Sequence, residues 1–230
     1  MSAPTRFPSG VATTKTGVMS RVGIIDPTQW KYYFNDFMTG ADFNATDWTI
    51  TEVGNGSQVL TDADGGLLLL TNAAADNDAS TVYPAFEFVT PAQSKRLVFV
   101  ARFKVSDATQ TDVFVGLSTK DATPMGGNDQ IAFFKFDGGT ELSFRQEKDN
   151  SATETATGIN LVDDTFIEIA FYNDGRGSFE IYADGAKVIT IPHSANFLDD
   201  EPVGCNFAVI NGEAVSKVMT IDYVLVAQER

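Results

Sequence analysis

The chain has 230 residues, 31 acidic against 16 basic side chains, a formal net charge of −15, one cysteine and one histidine. That balance argues against a body that grips nucleic acid or an anionic membrane, since both need clustered Lys and Arg. Cys205 and His193 alone supply neither an intrachain disulfide nor a four-ligand zinc site, and no apolar run approaches the ~18 residues of a spanning helix.

The length favours one large β-sandwich over two small domains, with a core that needs no disulfide or metal staple. The first residues lack the apolar stretch of a signal peptide, and the single Cys205, read as a core residue, suits folding in a reducing cytoplasm. Residues 1–29 read as an extended arm, because Pro4, Pro8, Gly10, Gly17, Gly23 and Pro27 recur too often for a helix and no strand alternation is sustained. The arm is basic. Residues 1–25 hold Arg6, Lys15 and Arg21 and no acid, whereas the remainder is strongly acidic. Such an arm is expected to be held by its own domain, a sister subunit or a larger assembly.

Residues 30–230 form the body, and an aromatic run (Trp30 to Met38) opens it. Trp48 to Val53, Gly66 to Thr71, Ser80 to Thr90 and Leu97 to Val105 follow as predicted strands, the last alternating cleanly. Val113 to Leu117, Ile131 to Phe136 and Leu142 to Gln146 continue the pattern between Gly/Asp turns. Residues 165–192 are the clearest stretch. Ile167, Ile169 and Phe171 alternate with Glu168, Ala170 and Tyr172, then Asn173 to Gly177 and Asp184-Gly185 supply turns, which predicts a three-stranded meander. Strands at Asn206 to Ile210 and Met219 to Ala227 close the chain, with Cys205 read as a small core residue. The apolar residues on both sides of Val218 to Val226 imply a covered outer face. About a dozen strands with turns every 8–12 residues predict an all-β, antiparallel sandwich.

Over residues 31–228 this order of elements resembles the concanavalin A-like, laminin-G-like jelly roll. The resemblance implies a check for the Glu-x-Asp-x-Glu strand of that group's hydrolases, which sets alternate carboxylates on one face. The nearest match, Glu147-Lys148-Asp149-Asn150-Ser151, lacks the last acid; Glu168 and Glu180 read as solvated, so the chain is expected not to be an enzyme. His193 has no nucleophile motif beside it and reads as a loop-packing residue. The acidic loops at 62–66, 76–78 and 199–201 carry oxygen ligands of the calcium kind without an EF-hand spacing, and no metal or cofactor is assigned. Trp30, Tyr32, Tyr33 and Phe34 read as an interface or a platform for stacking on sugar rings.

The leader Thr5 to Val11 (TRFPSGV) and the junction Asp26 to Phe37 (DPTQWKYYFNDF) resemble the N-termini of virion structural proteins of short-tailed bacteriophages, capsid decoration or cement proteins above all. That resemblance implies a non-enzymatic protein on the capsid exterior, made in the host cytoplasm. It would be a dimer or trimer that binds the major capsid protein through Arg6, Phe7, Pro8, Lys15 and Arg21. The alternative is a lectin-like module that attaches to glycans. Neither reading calls for nucleic acid or membrane.

Overall fold

The computed structural model describes residues 17–23, 25–63, 65–127 and 129–230. In chain order the elements are a helical turn α1 (Met19–Val22), then β1 (Trp30–Asn35), β2 (Trp48–Val53), β3 (Ser57–Ala63), β4 (Gly65–Thr71) and β5 (Ala79–Pro84). There follow β6 (Leu97–Val105), β7 (Thr111–Ser118), β8 (Gln130–Lys135), β9 (Glu141–Lys148) and β10 (Ser151–Asn160). The last five are β11 (Ile167–Asn173), β12 (Ser178–Ala183), β13 (Ala186–Pro192), β14 (Gly204–Asn211) and β15 (Val218–Glu229).

All pairings are antiparallel. Seven strands form one sheet in the order β10-β9-β8-β7-β14-β5-β2. Eight form the other, in the order β13-β12-β11-β6-β15-β4-β3 with β1 also on β15. The predicted meander is β11-β12-β13. Its first turn is preformed by Asp174, whose carboxylate accepts from the Arg176 and Ser178 amides at 2.7 and 3.0 Å. β15 serves two neighbours on one side, β4 along its first third and β1 along its last half, with a bulge at Asp222 between them.

The inward faces interdigitate as one core. Phe99 stacks on Phe171 at 5.2 Å, and Phe133, Phe144 and Phe179 pack around them edge to face. Cys205 is fully buried in this core, which pushes its thiol pKa far up.

Residues 17–23 and 25–30 cross the outer face of the eight-stranded sheet, where Val18, Val22 and Trp30 bury against Val98, Val100, Ala170, Tyr172, Tyr182 and Ala227. A fully buried Val or larger side chain contributes roughly 1.5–3 kcal/mol, so three of them hold a short segment that has little regular structure of its own. Arg21 adds a bidentate pair to Glu180 at 2.7 and 2.8 Å. Of the predicted arm, residues 17–23 and 25–29 pack on the body's outer layer, its own domain being one of the holders expected, and residues 1–16 lie outside the described residues. The cover over β15 expected from its two-sided apolar sequence comes, over its C-terminal half, from the chain itself.

Four strand readings are corrected. β1, β3 and β10 lie where no strand was predicted, β3 and β10 each at a sheet edge, and the predicted Ser80–Thr90 strand stops at Pro84, which lacks the amide that would continue the ladder.

Candidate functional site

β1 alternates Trp30, Tyr32 and Phe34 on its outer side with Tyr33 and Asn35 on the other. Beyond Asn35 the chain turns sharply. Phe37 has φ 51 with its ring buried, and its carbonyl lies against Gly66, where a Cβ would come within 1.8 Å of the oxygen. Only glycine permits that approach. The loop from Phe37 to Asp47 is then fastened by its own polar groups. Asn35 Nδ2 and Trp48 Nε1 both donate to the Asp42 carbonyl, at 2.6 and 2.9 Å, and Asn35 Oδ1 accepts from the Phe37 amide. The Asp42 carboxylate accepts from the Thr39 amide at 2.7 Å, and Asp47 from Asn44 Nδ2 at 2.8 Å.

Between this loop and Phe86 lies a cleft of about 250 Å³, lined by Tyr33, Phe34, Asn35, Asp42, Asp47 and Phe86 among others. Tyr33 is its floor, 5.1 Å from Phe88 and 6.2 Å from Phe86 by ring centres, and burial drives its phenol pKa up, keeping it a neutral donor. Phe34 and Phe86 are about half exposed, at 55% and 47%. Each carboxylate accepts its loop hydrogen bonds through Oδ2, leaving Oδ1 for a ligand. Aromatic faces beside fixed carboxylates suit a molecule with an apolar C–H face and a hydroxylated edge.

Of the aromatics singled out in the sequence, Tyr33 and Phe34 meet in this cleft. Tyr32 is exposed further along the outer side of β1. Trp30 is corrected as a stacking residue: it is buried under residues of the eight-stranded sheet, with the Arg96 guanidinium 5.1 Å above its ring. Arg21 pairs with Glu180 of its own chain; Arg6, Phe7, Pro8 and Lys15 lie outside the described residues. Asn35, Asp42, Asp47 and Phe86 were not singled out. The run Asp42-Phe43-Asn44-Ala45-Thr46-Asp47 held a usable signal, since its Asn and Asp residues close local turns around a buried Trp.

The second surface with chemistry is the outer face of the seven-stranded sheet. Glu147 is buried there, accepting from Gln130 Nε2 at 2.6 Å, and Arg145 lies 3.6 Å from it while binding Glu154 at 2.7 Å. Asp149 is not on this face. It forms the β9–β10 hairpin turn with Asn150, at φ 52 and 58, so the Glu147-x-Asp149 spacing does not align two carboxylates. Glu168 and Glu180 are not cross-strand partners, because Tyr172 stands opposite Glu180. His193 packs 4.3 Å from Phe197, and Lys148 holds both Asp199 and Asp200. Among the described residues no three His, Cys, Asp or Glu side chains gather as metal ligands.

No protein-family model and no curated protein matches the sequence. Solved structures do match in shape. A Shewanella oneidensis protein of unknown function superposes with a TM-score of 0.62 at 15% identity, covering 87% of each chain. An endo-1,3-beta-glucanase from Streptomyces sioyaensis gives 0.60 at 12% identity over 89% of this chain and 98% of its own. The fold is a concanavalin A-like jelly roll. A carbohydrate esterase of the Shiga toxin-encoding bacteriophage phi24B shares it, with a TM-score of 0.53 at 18% identity over 84% and 96% of the two chains. At these identities the likeness concerns the fold alone. It nevertheless corrects the expectation that the chain is not an enzyme: glucanases and a lichenase share this framework, so an incomplete Glu-x-Asp-x-Glu run is no ground for exclusion.

Proposed function

We propose that the protein binds glycans, with the cleft between β1 and Phe86 as the binding site. The observation that carries this reading is the juxtaposition of two half-exposed rings, Phe34 and Phe86, with the loop-fixed carboxylates of Asp42 and Asp47 around the Tyr33 hydroxyl. A pyranose stacked on a ring presents its equatorial hydroxyls sideways to such carboxylates. The similar structures support the reading, since they include glucan-cleaving enzymes, a phage carbohydrate esterase and peanut lectin. Soluble β-1,3- and mixed-linkage glucan oligosaccharides are the first probes. Calorimetric titration is expected to show binding that Phe86→Ala weakens about tenfold, each stacked ring contributing on the order of 1–1.5 kcal/mol. Unchanged affinity in Phe86→Ala and Tyr33→Phe would overturn the site. Reducing-end release in the same samples reads hydrolysis directly.

The leader favours a virion setting for this activity, residues 1–16 fastening the protein to the capsid and the sandwich facing outward. Co-sedimentation with shells of the accompanying major capsid protein is expected for the full chain and lost for a chain starting at Gly17. Equal binding by both would remove the leader from that role.

A further inference from the structure

On the outer face of the eight-stranded sheet, well away from β1's cleft, three arginines converge in an acidic protein. Arg21, Arg96 and Arg176 line a pocket of about 440 Å³ with Tyr172, Asp174 and Glu180. Two of them are held in place. Arg21 is clamped bidentately by Glu180, which also accepts from Tyr182 at 2.6 Å and Lys187 at 2.9 Å. Arg96 is fixed by Glu229 on one side and rests on the Trp30 ring on the other. The third is different. Arg176 stands on the turn that Asp174 builds by accepting from its amide, and its guanidinium has no hydrogen-bond or ion-pair partner among the described residues.

The lining charges are three guanidinium groups against the carboxylates of Asp174 and Glu180, a local balance of +1. Counting the outer partners Glu229 and Lys187 leaves it at +1. A single planar anion therefore completes the pocket. We propose that it is a second saccharide site, specific for a sugar that carries a carboxylate: the acid pairs with the free fork of Arg176, and the Asp174 carboxylate and the Tyr172 hydroxyl take the ring hydroxyls. A guanidinium fork matches the two oxygens of a carboxylate better than it matches a single point of charge. The pocket is formed before any ligand arrives, because Arg21, Arg96 and the Asp174 turn are each fixed by bonds within the chain. The proposal goes beyond the neutral-glycan cleft and shares with it only the saccharide.

The test uses the full chain and four probes: digalacturonic acid, its dimethyl ester, acetate and galactose 6-sulfate. The acid is expected to bind at least about tenfold more tightly than the ester, the effect of one charge-assisted contact, and more weakly as salt rises. Arg176→Gln should bring the acid down to the ester's affinity, and Arg176→Lys should give an intermediate value. Arg176 is exposed on a turn, so these variants fold. Equal binding of acid and ester, or an unaffected Arg176→Gln, overturns the site. Acetate binding as tightly as the acid overturns the saccharide part. A galactose 6-sulfate probe binding more tightly than the uronate overturns the choice of carboxylate. Loss of neutral-glucan binding in Phe86→Ala reports on the other cleft alone.

Discussion

The outer faces of the two sheets solve one problem in two ways. Each carries apolar residues that water would otherwise reach. On the eight-stranded sheet, Val98, Val100, Ala170 and Ala227 are covered by a separate piece of backbone, residues 17–23 and 25–30. On the seven-stranded sheet, Phe114, Ala132, Phe134 and Ala208 are covered by side chains of the sheet's own strands and by Met125. The Arg145 guanidinium lies 3.9 Å over the Phe134 ring, held there by Glu154 and Glu147. A backbone cover can lift away and leave an intact sandwich beneath it. A side-chain cover cannot leave without breaking a buried ionic network.

The sharpest way to break this contrast is Arg145→Ala. It uncovers the aromatic patch and strips buried Glu147 of its nearest cation, so chemical denaturation should show a loss of about 3–4 kcal/mol; pairing Arg145→Met with Glu147→Gln should recover most of it. Trp30→Ala should cost about 3 kcal/mol. Its hydrogen-exchange signature should be confined to residues 17–35 and the strands beneath, in contrast to the general loss caused by Arg145→Ala. Buried Lys135, whose ammonium donates to the Thr111 and Phe136 carbonyls, gives a pH test. Burial pulls its pKa down to about 8 from 10.5. Between those values the unfolded chain holds the proton and the folded one does not, so stability rises with pH across that window, and Lys135→Met should flatten the rise. Arg21→Ala should be the mildest, below about 1 kcal/mol, because the pair is partly solvated. Burial alone would raise the Glu180 pKa, yet Lys187, Tyr182 and Arg21 together hold it below 4.5. Its stabilisation is therefore present above pH 4.5 and lost as pH falls through the lower folded value, a loss that Glu180→Gln should abolish.

Much of the body was legible because central strands bury both faces or alternate strictly. Ile167 to Phe171 and Leu97 to Val105 could hardly be read otherwise. Besides β1, which read only as an aromatic run, the strands that escaped, β3 and β10, are edges. Ser151 to Asn160 places only Thr157 and Ile159 in buried positions, and its remaining polar side chains face solvent, as an edge that resists further pairing should. The docking of residues 17–29 escaped for another reason: Val18 and Val22, twelve and eight residues before Trp30, make a single i,i+4 pair on one helical turn, too short a run to read as a period. The candidate cleft was half legible. Tyr33 and Phe34 announced themselves as an aromatic run, but Phe86 looked like a core position until Pro84 ended its strand. The arginine pocket gave no sign, because Arg21, Arg96 and Arg176 lie far apart in sequence and meet only through the β-sheet.

The closing of the chain on itself has a mechanical consequence. Trp30 opens β1 directly across from Glu229 near the end of β15, and Arg230 donates to the Gln29 and Pro27 carbonyls. A pull between the leader and the C-terminus thus reaches the sandwich at one corner and opens β1 from β15 one bonded pair after another, like a zipper. Strands loaded lengthwise would have to give way all together. Under a pull applied ahead of Gly17, the grip of Val18, Val22 and Arg21 takes up the load before that corner does.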